Sequence, residues 1–437
     1  MKNFASTDFL QKIVSDQKMG FPIGAFSVCS SNLYVLQASM QFAKEDNSYL
    51  LIESTCNQVN QFGGYTGMTT NDFSKFIRKI ASKEKFPVER ILLGGDHLGP
   101  NPWKHQNAET AMLNAKILIR DYIDTGFRKI HLDTSMNCAD DDLSQPLNLN
   151  VIAERTADLC HIAEATFKNN PLGCKPVYII GTEVPTPGGG ENNDGRLLVT
   201  SQESVKESLD RFKLFFSKYG LEDAWNRVIA IVVQPGVEFT NSMIFEYDHN
   251  QVHQLSKAIE TFPGIVYEAH STDYQRPELL KQMVADHFAI LKVGPGLTFA
   301  FREAIFALAS IEEELFLGRL RGSLSNLLET IDEIMINERG FWEKYYTGDE
   351  FDQKIARKYS LSDRIRYYWT NPKINNALNI MLTNLKEKPI PLSLVSQYLP
   401  NQYKHIRDGK LINEPISMIS DHIGEILAGY RFACNID

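Results

Sequence analysis

Eight short apolar runs, separated by longer amphipathic stretches, constrain the fold more than any other feature of this chain. Most of these runs are rich in Ile, Val and Leu and show little polar alternation, which is typical of parallel strands covered on both faces. The predicted strands span residues 22–28, 49–53, 90–94, 129–132, 177–180, 228–233, 264–267 and 289–293. Eight strand-then-helix units in series predict an α/β fold, a TIM (β/α)₈ barrel, with a doubly wound open sheet as the alternative.

The last part of the chain shows a different pattern. Helices are predicted near residues 324–337, 353–359, 372–385, 391–398 and 418–434, with prolines between them. We therefore expect a (β/α)₈ barrel over residues 1–319 and a C-terminal helical subdomain over residues 320–437. The Gly- and Pro-rich segment 181–200, directly after the fifth strand, is typical of a functional loop.

Charge and composition exclude several classes of protein. The formal net charge of −9 argues against nucleic acid as a partner, because phosphate backbones need a basic surface. The N-terminus has no apolar core of a secretory signal, and no stretch approaches the roughly 18 apolar residues of a membrane span. The six cysteines are scattered without a C-x-x-C pair, as in reduced proteins. We expect a cytoplasmic protein that does not associate with membranes.

Polar and ionisable residues follow directly after most of the predicted strands. In a barrel, this position lies on the catalytic face. The residues are Glu53, Asp96, His97, His131, Asp133, Glu183, Gln234, Glu268, His270, Asp273 and Lys292. Because the same pattern recurs on seven of the eight predicted strands, we expect an active site at this end of the barrel.

Two histidines and a glutamate predict a metal centre. His97, Glu183 and His270 follow three different strands and form an N/O ligand set suited to Zn²⁺, Mn²⁺ or a similar ion. Such a metal would polarise a carbonyl and stabilise an enediolate while Asp96 moves a proton, with Glu53 and Asp133 as further catalytic candidates. The alternatives are a capping aspartate, packed core histidines and a solvated loop glutamate.

Phosphate-binding candidates come from three regions of the chain. Barrels often bind phosphate after the seventh and eighth strands, and the turn after the second strand offers further donors. The C-terminal part adds two arginines beside aromatic residues, although an amphipathic helix that docks on the barrel explains them equally well. The candidates are Asn57, Gln58, Ser271, Asp273, Lys292, Gly294, Arg364 and Arg366.

Several long phrases carry a resemblance to a known family. They are ILLGGDHLGPN from Ile91, GTEVPTPGG from Gly181, VYEAHSTDYQ from Val266, FAILKVGPGLTFAFREAIFALA from Phe288 and SLSDRIRYYW from Ser360. Over essentially its whole length the chain resembles the GatZ/KbaZ family, described as the non-catalytic subunit of class II D-tagatose-1,6-bisphosphate aldolase.

The resemblance extends to the wider class II aldolase superfamily and implies roles for individual residues. It implies that Asp96 is the acid/base and that His97 and His270 are zinc ligands. Glu183 corresponds to a metal-site glutamate. Gln234 stands where the superfamily has another histidine ligand, and an amide oxygen binds zinc more weakly than an imidazole does.

The family suggests several functions, which the residues help to rank. The first is a component of tagatose-1,6-bisphosphate aldolase in galactitol, N-acetylgalactosamine and tagatose catabolism. It would be an oligomer that works with a catalytic class II aldolase subunit and retains a metal-dependent sugar-phosphate site. The alternatives are a ketohexose-phosphate 4-epimerase acting on D-tagatose 6-phosphate by cleavage at C3–C4, and a ligand-binding regulator. Tagatose-6-phosphate kinase, an older label, is disfavoured because the sequence lacks a P-loop, and no nucleotide cofactor is expected.

Overall fold

The apolar runs of the sequence form a closed barrel of eight parallel strands. The computed structural model describes residues 3–182, 197–316, 324–387 and 389–435. Its strands are β1 (Ala25–Val28), β2 (Leu50–Thr55), β3 (Ile91–Leu98), β4 (Lys129–Leu132), β5 (Val177–Gly181), β6 (Val228–Val232), β7 (Glu238–Phe239), β8 (Ile244–Phe245), β9 (Val266–Ala269) and β10 (Phe288–Val293). The barrel has the order β1-β10-β9-β6-β5-β4-β3-β2. The predicted TIM barrel is confirmed, and the open-sheet alternative is wrong.

The strand bounds differ from the prediction where tertiary pairing intervenes. β1 begins at Ala25 rather than at residue 22, since the Gly24 amide N–H is donated to the Cys434 carbonyl 3.0 Å away. β3 continues to Leu98 rather than ending at residue 94, because its pairing with β2 runs on to Asp96. The second difference matters for function, since it places Asp96 in register with the barrel wall.

Helices surround the barrel and extend beyond it. They are α1 (Asp8–Lys18), α2 (Leu33–Glu45), α3 (Thr70–Glu84), α4 (Ala108–Asp124), α5 (Leu149–Asn169), α6 (Gln202–Lys218), α7 (Glu222–Trp225), α8 (His249–Glu260), α9 (Pro277–Ala285), α10 (Pro295–Phe316), α11 (Leu327–Asn337), α12 (Glu350–Tyr359), α13 (Pro372–Lys386), α14 (Leu392–Tyr398), α15 (Pro400–Arg407) and α16 (Pro415–Ala433). Many begin where a polar side chain caps the first turn; Asn32, for example, accepts the Tyr34 amide N–H before α2. No helix in the described ranges has both the length and the apolar character needed to cross a bilayer.

Helix α1 closes the N-terminal mouth of the barrel. Its residues Leu10 and Val14 belong to an apolar cluster with inward-facing strand residues such as Leu51 and Leu92. The Ala5 amide N–H, just before the helix, is donated to the Ile91 carbonyl at the start of β3. Because this end of the barrel is filled, a ligand enters from the C-terminal ends of the strands.

The helices after residue 324 pack against the barrel. Helix α16 contacts α2, α9 and α10. The Tyr430 hydroxyl on α16 lies 2.9 Å from the Thr272 carbonyl in the loop after β9. The predicted boundary at residue 319 lies outside the described residues, so the division into two domains stays a prediction.

A short hairpin of β7 and β8 follows β6 and was not predicted, because each strand has two residues. Asn241 in its turn donates a side-chain N–H to the Tyr345 carbonyl at 2.8 Å and accepts the Leu361 amide N–H at its carbonyl, 3.0 Å away. The hairpin thus connects the barrel to the C-terminal helices beside the open mouth.

Candidate active site

Two glycines in β3 make room for side chains on opposite faces of the strand, Gly94 for Glu53 in the barrel interior and Gly95 for Tyr122 on helix α4. A Cβ atom added to Gly94 would lie 2.7 Å from Cγ of Glu53, and one added to Gly95 would lie 2.6 Å from the Tyr122 ring. Neither position therefore tolerates a side chain without displacing a neighbour. Two residues later His97 takes a left-handed conformation with φ of 49°, which is uncommon outside glycine and suggests a functional constraint.

Five alternating charges occupy the interior beneath the mouth. The Lys129 ammonium lies 2.7 Å from Glu53 Oε1 and 2.6 Å from Glu268 Oε2. The Lys292 ammonium lies 2.6 Å from Glu53 Oε2 and 2.9 Å from Asp96 Oδ1. All five side chains are buried. Buried ions must be paired to offset lost hydration, so these contacts hold the network in one arrangement.

Lys129 was missed in the sequence, although its strand contained a signal. Lys129 and His131 are two residues apart in β4, and alternate residues of a strand face the same side. Both therefore point into the barrel. Because the surrounding run is apolar, Lys129 and His131 were not recognised as an inward-facing pair.

The neighbouring charges set the protonation state of Asp96. Burial alone would raise the pKa of Asp96, but the charges of His97 and Lys292 outweigh burial and hold that pKa well below its usual range. Burial alone would lower the pKa of Lys292. The surrounding carboxylates, of which Asp96 has the largest effect, outweigh burial and raise that pKa well above its usual value. Asp96 is therefore a carboxylate and Lys292 an ammonium at neutral pH.

Three histidines at the mouth each pair with a buried carboxylate. The pairs are His97 Nδ1–Asp133 Oδ2 at 2.8 Å, His131 Nδ1–Asp96 Oδ1 at 2.9 Å and His270 Nε2–Glu268 Oε1 at 3.0 Å. The three ring centres lie 4.8–5.2 Å apart. Nε2 of His131 is buried and has no hydrogen-bond partner among the described residues.

This arrangement fits a divalent metal ion. One donor atom each from Asp96, His131, Glu268 and His270 lies within 4.8 Å of the other three. Metal-bound histidines usually have their second ring nitrogen held by a carboxylate, as these are. Burial lowers the pKa of His270 to about 3, so its ring is neutral, as a ligand must be. Even with His97 protonated, the four carboxylates of the cluster outnumber its positive charges, which leaves negative charge for a divalent cation to balance.

A cavity of about 560 Å³ opens above the histidines. That volume suits a small phosphorylated sugar. The predicted residues that line it are Asp96, His97, His270, Lys292, Asn57, Gln58, Ser271, Asp273, Gly294 and Arg366. Glu53 and Asp133 lie beneath the cavity and contact its lining residues instead.

Two predicted residues, Arg364 and Gln234, are not among those that line the cavity, and a third, Glu183, cannot be placed. Arg364 is buried with its guanidinium carbon 3.2 Å from the centre of the Tyr345 ring, and it donates to the Phe341 carbonyl at 2.8 Å. The side-chain oxygen of Gln234 accepts the Gly236 amide N–H at 2.8 Å. Glu183 lies outside the described residues. The proposed roles of all three stay predictions.

The cavity wall also contains an aromatic pair that the sequence reading missed. The rings of Tyr65 and Tyr367 lie 4.7 Å apart, edge to face, beside Arg366. Burial raises the pKa of Tyr65 to about 12, so its hydroxyl remains a donor. Tyr65 follows Gly64, where an added Cβ would lie 2.6 Å from the Asn57 carbonyl. The Gly63-Gly64 turn was the available signal for this residue.

Comparisons with known proteins agree with this architecture. The model of the D-tagatose-1,6-bisphosphate aldolase subunit GatZ/KbaZ-like family matches residues 10–435. A crystal structure of a probable tagatose 6 phosphate kinase from Sinorhizobium meliloti is 43% identical, with a TM-score of 0.85 over 94% of this chain and 100% of that chain. The YdjI aldolase from Escherichia coli is 9% identical with a TM-score of 0.40, over 88% of this chain and 100% of that one, which is too distant to inform the site.

Proposed function

We propose, since this chain belongs to the GatZ/KbaZ-like family of D-tagatose-1,6-bisphosphate aldolase subunits, that its barrel retains a working metal-dependent site for ketohexose phosphates. The observation that carries the proposal is the set of three carboxylate-paired histidines, of which His97 and His270 line an open cavity and His131 lies beneath it. A barrel with a purely structural role would fill this interior with branched apolar side chains. Burying so many charges has a large desolvation cost, which a functional site explains.

His97, His131 and His270 would hold the metal. Each ring is oriented by its carboxylate, and the three ring centres lie 4.8–5.2 Å apart. When bound, such an ion polarises the ketone of the sugar and stabilises negative charge on its oxygen. The ion is expected to be Zn²⁺, with Mn²⁺ or a similar metal as the alternative.

Asp96 is the proposed proton carrier. Its carboxylate lies at the cavity floor, 3.7 Å from His97 Nε2 and 2.9 Å from the Lys292 ammonium. It would accept the proton of the substrate hydroxyl at C4 when the C3–C4 bond breaks, and it would return that proton when the bond re-forms. The low pKa of Asp96 keeps it ready to accept.

Glu53 and Asp133 have positioning roles in this scheme rather than catalytic ones. Glu53 holds Lys292 at 2.6 Å, and Lys292 in turn contacts Asp96. Asp133 fixes the orientation of the His97 ring. Neither carboxylate reaches the cavity, so neither would touch the substrate.

The same groups support two outcomes of one reaction. In an aldolase complex, the site would cleave or form the C3–C4 bond, and a family named for a subunit implies a partner subunit. In the chain alone, rotation of the aldehyde before the bond re-forms would invert C4 and make the protein a 4-epimerase. Because the proton carrier and the three imidazoles all come from this one chain, we favour activity without a partner.

A single set of assays tests this function. The purified chain, loaded with Zn²⁺ or Mn²⁺, should interconvert tagatose 6-phosphate and fructose 6-phosphate, and dialysis should leave about one metal per chain. Asp96→Asn should abolish turnover even at metal concentrations that restore full occupancy, although it should weaken metal binding because Asp96 holds the His131 ring. His270→Ala should lose both turnover and metal. His161→Ala, an exposed histidine on α5, is the control. Absence of turnover with several metals, together with activation of a partner aldolase, would leave only an accessory role.

A further inference from the structure

We propose that Asp273 makes this cavity selective for a ketohexose monophosphate over a bisphosphate, because its carboxylate occupies the place where a second phosphate would bind. The inference rests on the sugar-phosphate function proposed above. It adds the phosphorylation state of the substrate and the residue that determines it.

The buried carboxylate of Asp273 caps the N-terminus of α10. Its Oδ1 atom accepts the amide N–H of Gly294 at 2.9 Å and of Gly296 at 2.7 Å. A Cβ added to Gly296 would lie only 3.1 Å from that oxygen, so the fit is close. In many barrels the same backbone donors, after the last strands, bind the substrate phosphate. Here a phosphate would lose both donors and would face a buried negative charge.

A second carboxyl group lies at this end of the cavity. Glu238 is buried beside Asp273 and hydrogen-bonds Ser271, which lines the cavity next to it. Ser271 and Gly294, which the sequence placed among the phosphate ligands, therefore lie among acidic groups. This geometry argues against a phosphate at this end.

One cation remains available for one phosphate. In the described part of the chain, the lysines and arginines that line the cavity are Lys292 and Arg366. Lys292 is neutralised by Glu53 and Asp96. The Arg366 guanidinium hydrogen-bonds the Ser362 and Asp363 carbonyls and the Tyr367 hydroxyl, and among the described residues it forms no ion pair. Asp363 and Asp273 lie within electrostatic range of the Arg366 guanidinium but form no ion pair with it among the described residues, so the guanidinium can still bind a phosphate.

Calorimetric titration of the full chain, saturated with Mn²⁺, tests the selectivity directly. The probes are fructose 6-phosphate and fructose 1,6-bisphosphate. We expect the wild type to bind the monophosphate at least about tenfold more tightly, since juxtaposed like charges are strongly unfavourable. Equal binding, or a preference for the bisphosphate, overturns the proposal without needing any variant.

Two variants identify the residue responsible. Asp273→Asn retains an oxygen that accepts both amide N–H groups, so it should fold, and it should reduce the preference several-fold. Asp273→Gly empties the α10 terminus and should reduce the preference further. If a folded Asp273→Asn protein still prefers the monophosphate as strongly as the wild type does, Asp273 does not cause the selectivity and the proposal is wrong.

The anchoring residue has its own control. Arg366→Met should weaken binding of both probes by about tenfold or more while leaving their ratio close to that of the wild type. Arg407→Met, an exposed arginine on α15, should change neither.

If the chain binds the monophosphate selectively but shows no turnover, the proposed function fails and this inference stands. If turnover is intact and the bisphosphate binds better, the inference alone fails.

Discussion

Nδ1 of His97 lies 2.8 Å from Oδ2 of Asp133, and both side chains are buried. Burial would raise the pKa of Asp133, but the hydrogen bond from His97 outweighs burial and lowers the pKa to about 2. The carboxylate therefore remains ionised and directs Nε2 of His97 toward the cavity. Carboxylates commonly hold the second ring nitrogen of metal-bound histidines in the same way.

Asp133→Asn should lower metal affinity about 10- to 100-fold, because the neutral amide orients the imidazole less strongly and makes it less basic. Competition with a chelating dye measures the affinity. Asp142→Asn, an exposed aspartate in the following loop, should bind metal like the wild type. Wild-type affinity in Asp133→Asn would show that His97 does not ligate the metal.

Lys129→Met should destabilise the fold by about 3–5 kcal/mol, because it leaves Glu53 and Glu268 buried without their shared ammonium. Urea unfolding measures the change. Lys175→Met is the matched control, since Lys175 pairs with Asp223 on the surface, and an exposed pair contributes about 0–1 kcal/mol. Similar losses in both variants would mean that the interior charges are not coupled as their distances indicate.

Gly94→Ala should destabilise the protein by about 1–3 kcal/mol and also reduce turnover, because the added Cβ would lie 2.7 Å from Cγ of Glu53. Glu53 cannot move aside freely, since two lysines hold its carboxylate. Thermal unfolding and the epimerase assay measure the two effects. An alanine at Gly264 meets nothing within 4 Å and should be tolerated. Unimpaired Gly94→Ala would be inconsistent with a rigid charge network.

Stability should depend on pH through Glu238. Burial raises the pKa of Glu238 from 4.5 to about 7, so the folded state holds a proton that the unfolded chain releases. The stabilisation from the protonated form is complete below pH 4.5 and is lost as the pH rises to about 7.

Glu238→Gln removes this dependence, since glutamine stays neutral. Relative to the wild type, the variant should gain up to about 3 kcal/mol between pH 4.5 and pH 7. Urea unfolding of both proteins across that range measures the difference, and other titrating groups cancel in the comparison. If the difference in unfolding free energy between the two proteins did not change with pH, the ionised Glu238 carboxylate would lie in a solvated environment.

The strand pattern was visible in the sequence because it is local. An apolar run buried on both faces needs no knowledge of its neighbours, and all eight runs form strands of the barrel. The bounds needed the tertiary structure. Pairing with β2 extends β3 through Asp96, and a contact with Cys434 delays the start of β1. The β7–β8 hairpin left no pattern to detect, since its strands are too short.

The site was only partly visible for a related reason. Residues such as Asp96, His97 and His270 stood out because they interrupt strand ends with ionisable groups. Their partners could not be assigned, because a carboxylate at a strand end can pair with any neighbour in space. Lys129 was concealed within an apolar run, and Asp273 looked like a phosphate ligand although it occupies the backbone donors itself.

The barrel and the end of it that carries the polar residues could be predicted from the sequence, since both follow from short-range patterns of burial. Which charged side chains contact one another is known only from the tertiary structure. Closure of the barrel joins Glu53 to Lys292, 239 residues apart, at 2.6 Å and places three histidines from three strands around one point. Electrostatic pairing depends on distance in space and on burial, and neither is recorded in the order of the residues.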